Sequence, residues 1–531
     1  MSRSPGGRTR TRFGSGALLT CAGIALVLGG AAGSASVRVP SFSAEKTYRT
    51  GSNGALVGIA DLNGDGFPEL VALEGRHFSV FVNSGHGTFG AKSDYQTGPR
   101  PAGAIADVNG DGKPDLLSAN AGNDTVSVLL NRGDGTFAVR QDIAIGGTPH
   151  GAPAVADLNG DGKADLVTGT EGGAVSVLLG NGDGTFQAYR DYPVSRGVEQ
   201  LVATDLNGDG KPDLVSSSDG YDSVSVLLNN GDGTFQPRHE YATAAGDSNS
   251  LAVGDMNGDG SPDLVTAESC GCGPGTVTVL INGGDGSFSR RDYVMEGGII
   301  PLFGGPVSAT VADLNGDGRP DIVTIDETYD GFPVGISVLL NRGDGTFARH
   351  DYAVGRSQSG GASVTIADLN GDGRPELVMS DEDTLFALLL NKGDGTFQAR
   401  RDYPAPFSLE RVAIGDLNGD GRPDLIGTSN SVKGQDLVSV LLNTPGLCNV
   451  QDVSMMRPAR AKLALARVNC RAMIRRVFDP KRDRPVEGGC GCGGWAWWPK
   501  GGLVYRQRPH FGAVLPAGGK VRLVVRFGRR R

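Results

Sequence analysis

The chain has 531 residues, of which 85 are Gly and 28 Pro. So many helix breakers exclude a helical bundle or a long coiled coil. Glycines without a three-residue period exclude collagen, and 38% apolar residues exclude a chain disordered throughout. Charge is divided: residues 1–40 hold five Arg and no acid, 41–445 hold 26 basic and 55 acidic side chains, and 446–531 hold 19 basic and four acidic ones. An acidic block joined to a basic tail implies two parts with different partners.

Arg3, Arg8, Arg10 and Arg12 precede an apolar stretch at 17–28, and small residues follow at 29–36. This order predicts a secretory signal peptide over 1–36. The apolar stretch is shorter than the roughly 20 residues that span a bilayer, so no transmembrane span is expected in the mature chain. Cys21 would be a poor lipidation site, because Thr20 precedes it and the apolar run continues past it.

From residue 41 the string Asp-x-Asn-Gly-Asp-Gly-x-x-Asp/Glu recurs eight times, starting at Asp61, Asp107, Asp157, Asp205, Asp255, Asp313, Asp368 and Asp416. Each copy has a short apolar run before it and another after it. A third run follows, then a turn such as Asn229-Asn230-Gly231-Asp232-Gly233 and a fourth run that opens on Phe and closes near Tyr, as in Phe235 and Tyr241. Four strands per repeat of about 50 residues are the blades of a β-propeller. The eighth unit lacks its fourth strand, but Phe42 and Tyr48 copy the Phe235 to Tyr241 spacing ahead of the first loop. The expected fold class is therefore all-β: an eight-bladed propeller over 41–445, closed by an N-terminal strand, with seven blades as the alternative.

The repeated loop carries the chemistry. Positions 1, 3, 5, 7 and 9 are Asp61, Asn63, Asp65, Phe67 and Glu69 in the first copy, and Asp107, Asn109, Asp111, Lys113 and Asp115 in the second. They are Asp157, Asn159, Asp161, Lys163 and Asp165 in the third, and Asp205, Asn207, Asp209, Lys211 and Asp213 in the fourth. The fifth has Asp255, Asn257, Asp259, Ser261 and Asp263, and the sixth Asp313, Asn315, Asp317, Arg319 and Asp321. The last two have Asp368, Asn370, Asp372, Arg374 and Glu376, then Asp416, Asn418, Asp420, Arg422 and Asp424. Oxygen side chains at 1, 3 and 5, a backbone carbonyl at 7, glycine at 6 and an acid at 9 follow the ligand order of a calcium loop. Hard oxygen donors disfavour zinc and copper, and magnesium resists shedding its water for such a cage. About eight structural Ca²⁺ ions are expected, each facing three carboxylates.

These repeats resemble the FG-GAP/VCBS family, known from the integrin α-chain propeller and many secreted bacterial proteins. The resemblance implies Ca²⁺ in the loop between the first two strands of every blade. It leaves the activity open, since the family includes adhesion proteins, carbohydrate binders and carriers of appended enzymes. Arg132-Gly133-Asp134 and Arg342-Gly343-Asp344 read as hairpin turns in preference to attachment signals, because other blades place Asn, Ser or Lys where Arg stands.

Beyond residue 446 the pattern predicts a helix at 457–469 and strands at 473–478, 502–507 and 520–527, a small α+β domain. This stretch resembles a PASTA domain through Cys448, the helix, Cys470, Val504-Tyr505-Arg506-Gln507-Arg508-Pro509 and Leu515-Pro516-Ala517-Gly518. It departs from that family in lacking an early Val-Pro and in an insertion at about 480–499. The resemblance implies association with the bacterial cell wall and supports a Cys448–Cys470 disulfide. Cys270, Cys272, Cys490 and Cys492 form two Cys-Gly-Cys motifs. Local bridges, a bridge between the motifs and a four-thiolate zinc site all remain open.

No catalytic constellation is visible. The six His show no paired metal spacing, and no Gly-x-Ser-x-Gly elbow is present. The expected function is an exported, non-catalytic scaffold for binding or adhesion, secreted or wall-associated and monomeric. Its partner would be a wall polymer, a surface glycan or a protein, and not nucleic acid. A lectin or carbohydrate-active enzyme using the central face is the alternative.

Overall fold

The computed structural model describes residues 39–449 apart from 44, 51–53, 219–220, 270–274, 296–303, 329–332, 357–362, 382–384, 406, 408, 410, 429–436 and 445–446. Beyond these it describes 471–478, 503–508, 514–516 and 520–527. The predicted signal peptide, the predicted helix at 457–469, both Cys-Gly-Cys motifs and Cys470 lie outside the described residues.

Eight four-stranded sheets follow one another along the chain, each with its strands in sequence order except the last. They cover 54–96, 101–144, 149–193, 198–242, 247–294, 304–356, 364–404, and 411–441 together with 46–49. These are blades 1 to 8. Blade 2 shows the logic. Its first strand, Pro101–Ala106, is made of small residues and is half-buried throughout, as suits the innermost position. Asp115–Asn120 is buried at every position, and Thr125–Leu129 at all but its first. Both faces of these middle strands meet neighbouring blades, so they read as continuous apolar runs. The outer strand, Gln141–Ala144, is mostly exposed.

The core accordingly lies between blades. Val71, Leu73, Phe78 and Val80 of blade 1 pack with Leu116, Leu129 and Phe137 of blade 2. Leu70, Phe81 and Phe89 of blade 1 pack with Leu417, Ile426 and Val440 of blade 8, which closes the ring. Lys46–Arg49 pairs antiparallel with Leu437–Leu441 as the missing outer strand. Phe42 bridges Asn443, and the Ser43 amide donates to the Leu442 carbonyl at 2.7 Å. Eight blades, not seven, make the ring.

One clasp recurs at the seams. A Tyr on the outer strand of one blade stands edge-on to the Phe of the next. The pairs are Tyr95–Phe137, Tyr192–Phe235, Tyr241–Phe288, Tyr293–Phe347, Tyr352–Phe397, Tyr403–Phe42 and Tyr48–Phe89, with centroids 4.8 to 5.6 Å apart. Such geometry contributes about 0.5–1.5 kcal/mol beyond burial. Between blades 2 and 3 the Tyr position is Ile143, which packs with Phe186 in a shared cluster.

In the C-terminal part, Arg471–Phe478 pairs parallel with Lys520–Phe527, which pairs antiparallel with Leu503–Arg508. These strands match the expected ones to within two residues. Leu447–Asn449, which contains Cys448, pairs with Val514–Pro516. Among the described residues no helix is long and apolar enough to cross a membrane.

Candidate metal centre

Each Asp-rich loop joins the first and second strands of its blade. In loop 2, Asp107 folds the chain around itself. Its Oδ1 accepts the Gly110 amide at 2.8 Å, and its Oδ2 accepts the Gly112 amide at 2.8 Å. Asn109 Oδ1 accepts from Asp111 N at 2.9 Å, and Asp111 Oδ1 from Lys113 N at 3.0 Å. Gly112 has φ +81°, a left-handed conformation that favours glycine. The same bonds recur in the other loops, for example around Asp157, Asp205 and Asp416.

The acid at position 9 sits deeper. Asp115 is fully buried. Its Oδ2 accepts the Val108 amide at 3.0 Å and its Oδ1 the Asn131 amide at 2.7 Å. One carboxylate therefore ties the loop to the far end of the third strand. Asp165, Asp213, Asp263, Asp321 and Asp424 make the corresponding pairs of bonds. Glu69 and Glu376, one methylene longer, also reach Asn63 Nδ2 at 3.0 Å and Asn370 Nδ2 at 2.8 Å.

Burial and then repulsion from the acids at positions 1 and 5 raise all eight of these carboxyls, against the opposing pull of the amide bonds. Asp115, Asp263 and Asp321 are pushed up to about 6, Asp424 to about 7 and Glu376 to about 9. Position 7 relieves part of the charge where it is basic: Lys113 Nζ lies 3.1 Å from Asp111 Oδ2, and Arg319 lies 3.1 Å from Asp317. Phe67 and Ser261 bring no such charge to loops 1 and 5.

Among the described residues no three His, Cys, Asp or Glu side chains converge closely enough to hold a metal ion. The carboxylates of each loop are turned onto its own amides. The donor set still fits a hard cation. A carboxylate has about four acceptor sites, and the amide bonds leave some of them free. Every donor is oxygen, and each loop gathers more negative charge than its neighbours compensate.

Two further groups around the loops had weaker sequence signals. Asn131 Nδ2 donates to Leu62 O of the preceding blade's loop at 2.9 Å and to Pro114 O of its own at 3.0 Å. Asn83, Asn229, Asn282, Asn341, Asn391 and Asn443 strap their seams in the same way. In blade 3 this position is Gly180. The Asn that opens each Gly-Asp-Gly turn was the available clue. A second group crosses the blades: Ser127 Oγ donates to Asp142 at 2.7 Å, and Asp142 pairs with Arg140 at 2.9 Å. Its trace is a recurrent basic-x-Asp-Tyr string.

The Arg-Gly-Asp turns behave like their neighbours. Asp134 Oδ1 accepts from Thr136 N at 2.9 Å and Thr136 Oγ1 at 2.6 Å. Asp183 and Asp232, outside any such tripeptide, make the same bonds.

Eight radial blades with an acidic loop at the same corner of each define a repeat β-propeller. Residues 107–168, 157–216, 205–266, 267–324, 328–379 and 368–427 match the FG-GAP-like repeat, more than half of the chain. The chain belongs to the FG-GAP-like repeat family. No curated protein matches it. Among solved structures it is similar to Saccharomyces cerevisiae Sqt1, with TM-score 0.50 and 12% identity over 77% of this chain and 100% of that one. It also matches an Agrocybe aegerita lectin that recognises non-reducing terminal N-acetylglucosamine, with TM-score 0.40 and 23% identity over 67% and 95% of the two chains. The V. cholerae biofilm matrix protein Bap1 matches with TM-score 0.41 and 14% identity over 79% and 95%. At these identities the likeness concerns the fold alone.

Proposed function

We propose that the chain is an exported, calcium-binding propeller that serves as a non-catalytic binding scaffold, held at the bacterial cell wall by its basic C-terminal part. The observation that supports it most is the eightfold loop, in which three carboxylates meet at every blade and the position-9 acid is raised by burial first and by its two acidic neighbours second. The side chains at positions 1, 3, 5 and 9 and the carbonyl at 7 would hold the ion. Calcium would supply charge neutralisation and a rigid loop. Each position-9 acid is bonded to the end of the third strand, so order in the loop is passed to the blade. Repeats of this family are typical of extracellular proteins, in keeping with the signal-like residues 1–36.

The tail carries 19 basic and four acidic residues, a charge suited to the phosphate polymers of a cell wall. Its likeness to a PASTA domain points the same way, and a Cys448–Cys470 bridge would suit that domain. The full chain should be retained on purified wall, less so after its phosphate polymers are extracted, and less at high salt. Equal passage through wall and an uncharged polysaccharide would contradict wall anchoring. A glycan array run in calcium and in chelator tests the lectin alternative.

A further inference from the structure

Twelve Asn-Gly steps occur in the chain. Such a step can modify itself. The glycine amide nitrogen attacks the Asn side-chain carbonyl carbon, the new N–C bond closes a succinimide, and the side-chain nitrogen leaves as ammonia. Water then opens the ring at either carbonyl, giving aspartate or isoaspartate. The attack requires a glycine N–H that is free to lose its proton and approach.

Eight of the steps are positions 3 and 4 of the Asp-rich loops. In all eight the glycine amide is engaged: Gly64, Gly110, Gly160, Gly208, Gly258, Gly316, Gly371 and Gly419 donate to the position-1 Asp at 2.7 to 2.8 Å. Three more lie in Gly-Asp-Gly turns, and the twelfth, Asn53-Gly54, begins outside the described residues. Gly283 N donates to Ser287 O at 2.7 Å, and Gly231 N to Asn229 Oδ1 at 2.8 Å.

The remaining turn, Asn181-Gly182, differs. Its own backbone and side-chain amide bonds match those of Asn230-Gly231, although Lys211 Nζ also donates to Asn230 O at 3.2 Å. Asn181 N donates to Thr185 O at 2.9 Å, and Asn230 N to Thr234 O at 2.8 Å. Both side-chain amides donate to the Thr hydroxyl at 2.9 Å. The glycines share a conformation, φ +85° and +89°. What decides the glycine amide is the residue before the Asn. Asn229 supplies the oxygen that holds Gly231, whereas Gly180 has no side chain, and among the described residues no acceptor is found for the Gly182 amide.

We propose that Asn181 is a self-modification site of the native chain, converting to aspartate or isoaspartate ahead of the Asn-Gly steps whose glycine amides are held. Conversion adds a carboxylate to the same edge of the ring as the Asp-rich loops, against the Lys163 side chain that covers Gly182.

The test follows amide loss at Asn181 and Asn230 by peptide-mapping mass spectrometry of the folded full chain in mildly alkaline buffer, with a parallel sample in concentrated urea. The flanking sequences are nearly identical, so the two rates should agree in urea. In the folded chain Asn181 should react about fivefold faster or more, the rate equivalent of one hydrogen bond of ~1 kcal/mol. Equal folded rates, or a difference of the same size in urea, would overturn the proposal.

Discussion

Glu268 illustrates how proton counting at one residue sets a property of the whole blade. Thr266 Oγ1 donates to its Oε1. Thr278 Oγ1 lies 3.2 Å from both Glu268 Oε2 and Asp292 Oδ1, and it accepts the Ala244 amide at 3.2 Å. A hydroxyl has one proton, so it cannot donate to both acids. Arg290, 2.6 Å from Asp292, holds Asp292 low, and burial pushes Glu268 up to about 7. A protonated Glu268 that donates to Thr278 satisfies every group. Blade 6 repeats the arrangement with Asp326, Ser337, Asp351 and Arg349, and burial raises Asp326 as well.

The sign follows from the raised value. The folded chain binds the proton more tightly than the unfolded one, so this stabilisation is complete below about 4.5 and is lost as pH rises through about 7. The loss for Glu268 is up to about 3 kcal/mol. Glu268→Gln keeps a neutral side chain at every pH. In urea titrations at saturating calcium, it should flatten the decline in stability between pH 5 and 8. An unchanged decline would contradict the assignment.

Among elements, the seams differ where the sequence differs. Seven carry a Tyr edge-on to a Phe and an Asn strap. The seam between blades 2 and 3 has Ile143 and Gly180 in those places. An Asn cannot simply be restored at Gly180, because a Cβ there would lie 2.1 Å from Ala164 O, and Ala164 stands where the other seven loops have Pro. Ile143 is half-buried and leaves room for change. Ile143→Tyr should stabilise the ring by roughly 1 kcal/mol, through a ring on Phe186 and a hydroxyl near the Gly184 carbonyl. A lowered or unchanged midpoint of urea unfolding would show that this clasp contributes nothing at the seam.

Legibility at this scale followed the range of the interaction. Strands, turns and the Phe42 to Tyr48 closure were readable because each is a local pattern repeated along the chain. The loop spacing likewise exposed the candidate ligands. Two roles were not readable. Asp115 bonds an amide 16 residues on, and Asn131 bonds a carbonyl 69 residues back in another blade. Both depend on how blades stack, which local spacing does not express. The Phe and Tyr of each fourth run were readable as a spacing, but that the Tyr of one blade meets the Phe of the next was not.

For the molecule as a whole, charge is the governing quantity. Residues 41–445 hold 26 basic and 55 acidic side chains, and the eight loops supply 24 of those acids. Eight divalent cations would offset more than half of the excess. At ten times the dissociation constant, each contributes about 1.4 kcal/mol, roughly 11 kcal/mol in sum. That is comparable to the stability of an entire domain. Thermal unfolding of the full chain in excess calcium and in excess chelator is the most direct measurement. Ions bound in the loops predict a midpoint markedly higher in calcium, with a single cooperative transition of the ring. Coincident curves would contradict the view that ions in these loops hold the blades together.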